Sequence, residues 1–446
     1  MTSTGSTSSH LDAYRPDIDG LRAIAVSAVV VFHAFPHLLP GGFIGVDVFF
    51  VISGYLITNV ILRASASGTF TFRDFYARRA RRIFPALIVV LSAVYVLGWL
   101  TLLDLEFAQL GGHIFAGALF VANFALWRES GYFDVDSAVK PLTHLWSLGI
   151  EEQFYVVWPV VVWLWSKSLP RLRQITIALA ISSFAYCLLQ ANSTSAGLYY
   201  SPLSRFWELM IGCLLAMAND RFAELLRRRR IVPVIGLIGL IFSMFLVDES
   251  SQFPNWVALL PTLGTAMIIG AGRNQPVARF LSAKPLVFFG LISFPLYLWH
   301  WPLLVIARIV AGTTPSASVR TVIVIVSIVL ATATYGLIER PLKIRLSSRK
   351  MMGLLLVPLA FVASLGIMTH HDNGFPSRSV VLMNPPLDDG EPDGIAEIIE
   401  PGCGLDDATT KLVAHCFRDN REPAKIALIG DSKAYRSEEH TSELQS

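Results

Sequence analysis

Charge is what this chain has least of: 15% of its 446 residues are Asp, Glu, Lys or Arg, while 53% are hydrophobic. A soluble protein of that length alternates polar with apolar faces. That alternation is missing here, and a stretch such as LIVVLSAVYVLGWLTLL (87–103) has no polar face at all. The scarcity excludes a water-solvated surface and implies a bilayer. Cysteine is nearly absent, four in all. Cys187 and Cys213 sit in apolar segments as small packing residues, so at most one disulfide is left open, between Cys403 and Cys416 in the polar C-terminal part. The net charge of +3 carries no nucleic-acid partner with it, because basic residues of membrane proteins collect in cytoplasmic loops. Residues 1–17 are rich in Ser and Thr and lack an apolar core, so they read as a disordered cytoplasmic arm and not a cleavable signal peptide. Insertion then falls to the first span. No internal repeat and no metal site is read.

What is present is a series of twelve apolar stretches, running from 20–37 to 351–370, each near the roughly 20 residues that a span needs. Basic clusters lie at Arg15/Arg22, Arg73–Arg82, Lys167–Arg173, Arg221–Arg230, Arg273–Lys284 and Arg340–Lys350. The positive-inside rule places all of them in the cytoplasm, which fails if 109–127 crosses. That segment contains Gly111, Gly112, His113, Gly117 and Asn123, and reads as a re-entrant or outer-face helix. The expected fold is an all-α polytopic membrane protein with about eleven transmembrane helices, N-terminus inside and C-terminus outside.

An additional span with its cytoplasmic lead-in covers 343–371, and a linker rich in Pro, Asp and Gly covers 372–424 on the extracytoplasmic side. KIALIGDS (425–432) then reads as a short strand entering a Gly-Asp-Ser turn. The last residues, RSEEHTSELQS, lack the periodicity of a following element and look appended.

An ionisable side chain inside a span is expensive, so each marks a candidate site. Arg22 and His33 stand eleven positions apart on the first span, nearly on one face and roughly 16 Å apart along the axis. Asp47 enters the second span at about the depth of His33, where a His–carboxylate pair is expected. In HLWSLGIEEQFYVVWP (144–159) His144 starts at the outer surface, with Glu151 and Glu152 about two turns below it. Arg205, Glu208 and His300 reach the same layer. Taken singly, His144 and His300 read as hydrogen-bonded core histidines. On the inner side FRDFYARRARRIFPA (72–86) gathers five arginines. They suit a topology anchor that snorkels to headgroups, or a bidentate grip on the phosphates of an anionic donor.

Together these residues resemble the acyltransferase-3 family of integral-membrane acyl-CoA-dependent enzymes that modify bacterial surface glycans. The likeness rests on IDGLRAIAVSAVVVFH (18–33), GGFIGVDVFFVISGYLI (41–57), Arg79 and Arg82 in the Arg-x-x-Arg loop, HLWSLGIEEQFYVVWP, SRFWELMIG (204–212), FPLYLWHWP (294–302) and YGLIERPL (335–342). It covers an 18–342 membrane domain. The resemblance implies a bacterial inner-membrane O-acyltransferase moving an acyl group, acetyl foremost, from cytoplasmic acyl-CoA to a hydroxyl of an outer glycan such as lipopolysaccharide O-antigen. The implied partners are acyl-CoA, the glycan and the bilayer, homo-oligomerisation is compatible with it, and no metal or nucleic acid is involved. Arg79 and Arg82 would hold the donor phosphates and Arg22 would guide the donor. His33 would be general base or transient acyl carrier, oriented by Asp47 or Glu151 with Glu152 beside it. The alternative is a secondary transporter with a His/carboxylate proton relay. Gly430, Asp431 and Ser432 resemble the first block of the SGNH hydrolase-like domain fused to many members. Here 425–446 reads as a truncated α/β start of it, with Ser432 at the nucleophile position but inactive.

Overall fold

The structure of the protein, a computed structural model, describes residues 14–130, 139–190, 197–218, 228–248, 253–345 and 348–384, with 224 and 226 as isolated positions. All regular structure among the described residues is helical. The linker and the Gly430–Ser432 turn, with Cys403 and Cys416, lie outside the described residues.

Helix α1 (Pro16–Ala34) begins with Pro at its first position and Asp17 and Asp19 in its first turn, where fixed φ and negative charge both suit a helix N-terminus. It is followed by α2 (Gly45–Ala66) and α3 (Phe72–Thr101), the latter capped by the Thr71 hydroxyl, which accepts from the Asp74 amide at 3.1 Å. The segment expected to avoid a full crossing is broken in two: α4 (Asp104–Ala118) and α5 (Ala122–Glu129) are separated by a turn in which Phe120 takes φ 58°. Next come α6 (Leu145–Trp165), α7 (Leu169–Gln190), α8 (Gly197–Tyr200) and α9 (Pro202–Ala216). The shorter α10 (Ile231–Leu246), α11 (Leu259–Ala271), α12 (Pro276–Leu281) and α13 (Lys284–Leu291) lead to α14 (Ser293–Ala311). The last long helices are α15 (Ala317–Ala333), continued by a π-helical turn at Thr334–Glu339, then α16 (Arg340–Arg345) and α17 (Ser348–His371).

Among the described residues six helices are long and apolar enough to cross a membrane: Gly42–Ala66, Phe72–Thr101, Leu169–Gln190, Ser293–Ala311, Ala317–Leu342 and Gly353–His371. Their outward faces show what surrounds them. Val319, Val322, Ile325 and Val329 of α15 and Leu354, Val357 and Phe361 of α17 are exposed, an apolar belt that water would not tolerate and hydrocarbon does. Polar and ionisable residues instead gather inside, on α1, α2, α6, α9 and α14. Small residues set how closely these helices approach. A Cβ on Gly54 of α2 would collide with the Leu209 carbonyl of α9, and one on Gly212 of α9 with the Val51 carbonyl of α2. The two backbones therefore meet at glycine from both sides, which carries the acidic end of α2 against the Arg205 face of α9.

Candidate active site

The site is built from the N-terminal end of α1 toward its C-terminal end. Arg22 on α1 and Arg78, Arg79, Arg81 and Arg82 on α3 surround a cavity of about 1040 Å³ that also takes in Asp19, Glu339 and Tyr14. Arg22 Nη1 lies 3.4 Å from Asp19, and the Tyr14 hydroxyl donates to the same carboxylate at 2.6 Å. Partial burial and that bond push the Tyr14 phenol above its ordinary range, so it remains a donor. Five guanidinium groups against two carboxylates leave a strong excess of positive charge, with the fork geometry that suits phosphate.

A second, narrower cavity of about 790 Å³ shares Arg22, Arg79, Arg82 and Phe294 with this vestibule and runs outward from it. Its walls are apolar, with Phe49, Ile52, Leu56, Ile57, Ile83 and Leu148. Between Ile57 and Val46, its inner and outer limits on α2, the helix rises about 16 Å, which is the axial separation of Arg22 and His33. One polar cluster interrupts the walls. Glu151 accepts from the Ser53 hydroxyl at 3.1 Å and lies 3.2 Å from the Tyr155 hydroxyl, which also lies 2.9 Å from Ser53 Oγ. The Arg79 guanidinium stands 5.7 Å from the centroid of the Tyr155 ring. Glu151 thus belongs to the slot and not to His33. Its neighbour Glu152 turns away into a buried position where its Oε1 has no hydrogen-bond partner.

At the outer level His33 Nδ1 is 2.8 Å from Nε2 of His300, a fully buried residue of α14, and the two rings stack at 5.1 Å and 12°. His300 Nδ1 lies 3.1 Å from the Leu296 carbonyl. A carbonyl only accepts, so in the neutral pair His300 carries its hydrogen on Nδ1 and presents the Nε2 lone pair. His33 must then donate from Nδ1, and its own lone pair is left on Nε2. The chain of bonds fixes the ring of the half-buried His33 and leaves the lone pair on its Nε2 with a defined direction. His144 packs beside the pair, 5.9 Å from His300 between ring centroids, with neither ring nitrogen hydrogen-bonded. Trp301 covers His33 at 4.4 Å and donates its indole N–H to the Lys140 carbonyl at 3.0 Å.

The expected pair of His33 and Asp47 is not formed. Asp47 is fully buried 3.4 Å from Arg205, whose other face is 3.1 Å from Glu208, and the guanidinium is ringed by Phe50, Trp146, Tyr199 and Phe253 at 5.2–5.9 Å. A charged, planar cation lies within reach of the carboxylate, whereas the imidazole of His33 faces another helix. Asp47 thereby ties α2 to α9. On the outer face a separate cluster joins His113, Glu129 and Lys140 at 2.9–3.0 Å. Burial pushes the Glu129 carboxyl up, but these two partners outweigh it and hold it down at about 2. Ser432 lies outside the described residues. No group of His, Cys, Asp and Glu among the described residues has the arrangement of a metal centre.

A helical bundle with a cationic vestibule at one end, an apolar slot and an imidazole pair beyond it makes up the candidate site. Residues 15–336 match the family model described as the acyltransferase domain, and the chain belongs to that family. Similar curated proteins are YrhL of Bacillus subtilis, 33% identical over 350 residues, covering 74% of this chain and 55% of that protein. The peptidoglycan O-acetyltransferase OatA of Listeria monocytogenes is 32% identical over 348 residues, 74% of this chain and 56% of that one. The O-acetyltransferase OatA of Staphylococcus aureus is 30% identical over 349 residues, 74% of this chain and 57% of that one. The chain thus spans a little over half the length of these relatives. No solved structure matches it.

Proposed function

We propose that this chain is a bacterial inner-membrane O-acyltransferase that takes an acetyl group from acetyl-CoA at the cytoplasmic face and passes it to a hydroxyl of an extracytoplasmic glycan. The names of the OatA relatives favour peptidoglycan, or a polysaccharide like it, as that glycan. The topology that goes with this reading has about eleven crossings, N-terminus inside and C-terminus outside, so that the arginine loop meets the cytoplasm.

The observation that carries the reading is the continuity of the two cavities: they meet at Arg22, Arg79 and Arg82, and the slot then runs to Tyr297, whose ring lies 5.6 Å from that of His300. The vestibule arginines grip the donor's phosphates, and the slot takes the long, mostly apolar arm that follows them. Glu151, fixed by Ser53 and Tyr155, offers that arm a single polar stop. At the outer end His33 Nε2 removes the proton from the acceptor hydroxyl as its oxygen bonds to the acyl carbon. The carbon–sulfur bond breaks, and the proton returns from His33 to the leaving thiolate. His300 holds the His33 ring in the productive tautomer throughout, through Nε2. Arg22 guides the donor, and Asp47 and Glu152 serve as buried countercharges to Arg205 and to the Arg79 region.

Replacing His33 by Ala is expected to abolish glycan O-acetylation in cells while the protein still inserts. Retained O-acetylation sinks the reading. Purified protein is expected to bind acetyl-CoA, and to lose that binding on the double change Arg79→Gln and Arg82→Gln; unchanged binding removes the donor site from the proposal.

A further inference from the structure

One side chain belongs both to the slot and to the surroundings of the histidines. Tyr297 of α14 lines the outer end of the slot, and its ring lies 5.6 Å from that of His300 and 5.3 Å from that of His144. None of His33, His144 and His300 is among the residues lining the slot. The Tyr297 hydroxyl donates to the His144 carbonyl at 2.7 Å. That commits its only hydrogen. The Ser147 hydroxyl, 2.9 Å from the phenol oxygen, is then the donor to it, its alternative acceptor being the His144 carbonyl at 3.4 Å. The ring is thus fastened across the slot by two hydrogen bonds to α6.

We infer that Tyr297 is a gate between the donor thioester and the histidine pair, latched by the His144 carbonyl and Ser147. The inference rests on the function proposed above. Its chemical reason is the lone pair on His33 Nε2: such a base would activate water as readily as a sugar hydroxyl. Water oxygen would bond to the acyl carbon, the carbon–sulfur bond would break, and free acid and thiol would be released with no transfer. A closed Tyr297 keeps the acyl carbon away from His33 Nε2, and acyl transfer requires the phenol to leave the His144 carbonyl.

The test uses the full chain in lipid nanodiscs with acetyl-CoA and no glycan, reading the release of free thiol. Tyr297→Phe keeps the ring and deletes both latch bonds. Acceptor-independent thiol release at saturating acetyl-CoA is expected to rise roughly tenfold, the shift that corresponds to a latch of about 1.4 kcal/mol. Ser147→Ala removes only one bond and is expected to give a smaller rise in the same direction. Adding His33→Ala to Tyr297→Phe is expected to abolish the leak, since the leak runs through that base. Unchanged or lower thiol release in a folded Tyr297→Phe protein that still binds acetyl-CoA overturns the gate alone. If Tyr297→Phe does not fold, an unaltered rate in Ser147→Ala does so instead. Failure of the wild-type protein to bind acetyl-CoA overturns the gate and the proposed function together.

Discussion

At His33 the decisive neighbour is another imidazole. His300 arrives from 267 positions away, and its own tautomer is set by a backbone carbonyl, so a peptide group fixes which nitrogen of His33 is basic. His33→Ala is expected to lower transfer by roughly 10²–10⁴-fold, the usual contribution of a positioned general base. His300→Phe keeps the packing and removes the acceptor for Nδ1. It is expected to lower kcat about tenfold or more with donor KM unchanged, because the ring of His33 is then free to turn, and His300→Gln, which restores an acceptor, should recover part of the loss. Measured pH–rate profiles separate this from a packing defect, since only a change at the base moves the acidic limb. Of these relations, the sequence made legible the ones that run along a single helix: Arg22 with His33, and Glu151 and Glu152 below His144. Helical rise gives depth. It does not give the direction in which a side chain points across a bundle, which is why Asp47 reaches the level of His33 and yet turns to Arg205.

Helix α2 meets α9 where glycine faces backbone, and just outward of that contact two carboxylates share one guanidinium. Removing the cation leaves both acids buried, and Arg205→Ala is expected to destabilise the membrane domain by about 3–5 kcal/mol, read as a lowered thermal unfolding temperature in detergent. If the cluster serves transfer only through α2, the activity that survives at low temperature should keep its acetyl-CoA KM. The break between α4 and α5 is not legible in the sequence: Gly111 and Gly112 lie inside α4 and Asn123 inside α5, while the chain turns at Leu119–Val121, where Phe120 takes φ 58°. The extents of α9 and α10 follow the apolar stretches at 204–218 and 232–247, and only α11 is shorter than its stretch of 256–271, because a 3₁₀ turn takes Trp256–Ala258. At 15, 16 and 13 residues all three are shorter than the roughly 20 of a full span.

Across the site, charge is sorted along its length: five arginines at one mouth, a slot with a single carboxylate, and imidazoles beyond. Arg79→Gln or Arg82→Gln is expected to raise the acetyl-CoA KM roughly tenfold or more with kcat nearly kept, the loss of one charge-assisted phosphate contact, and added salt should narrow the difference. The vestibule was visible in the sequence as a basic run. Its connection to the slot was not, since the slot's walls come from α2, α3, α6 and α14.

That sorting also decides what the transmembrane voltage does. On the proposed reaction the charged donor never leaves the inner mouth; an acylium equivalent travels outward and one proton, ending on the thiol, travels inward. The two displacements cancel. A net charge carried across would couple to about 2.3 kcal/mol per 100 mV, so turnover in vesicles holding an imposed potassium diffusion potential is expected to match turnover without one. A proton-driven carrier built from the same histidines would speed up or stall.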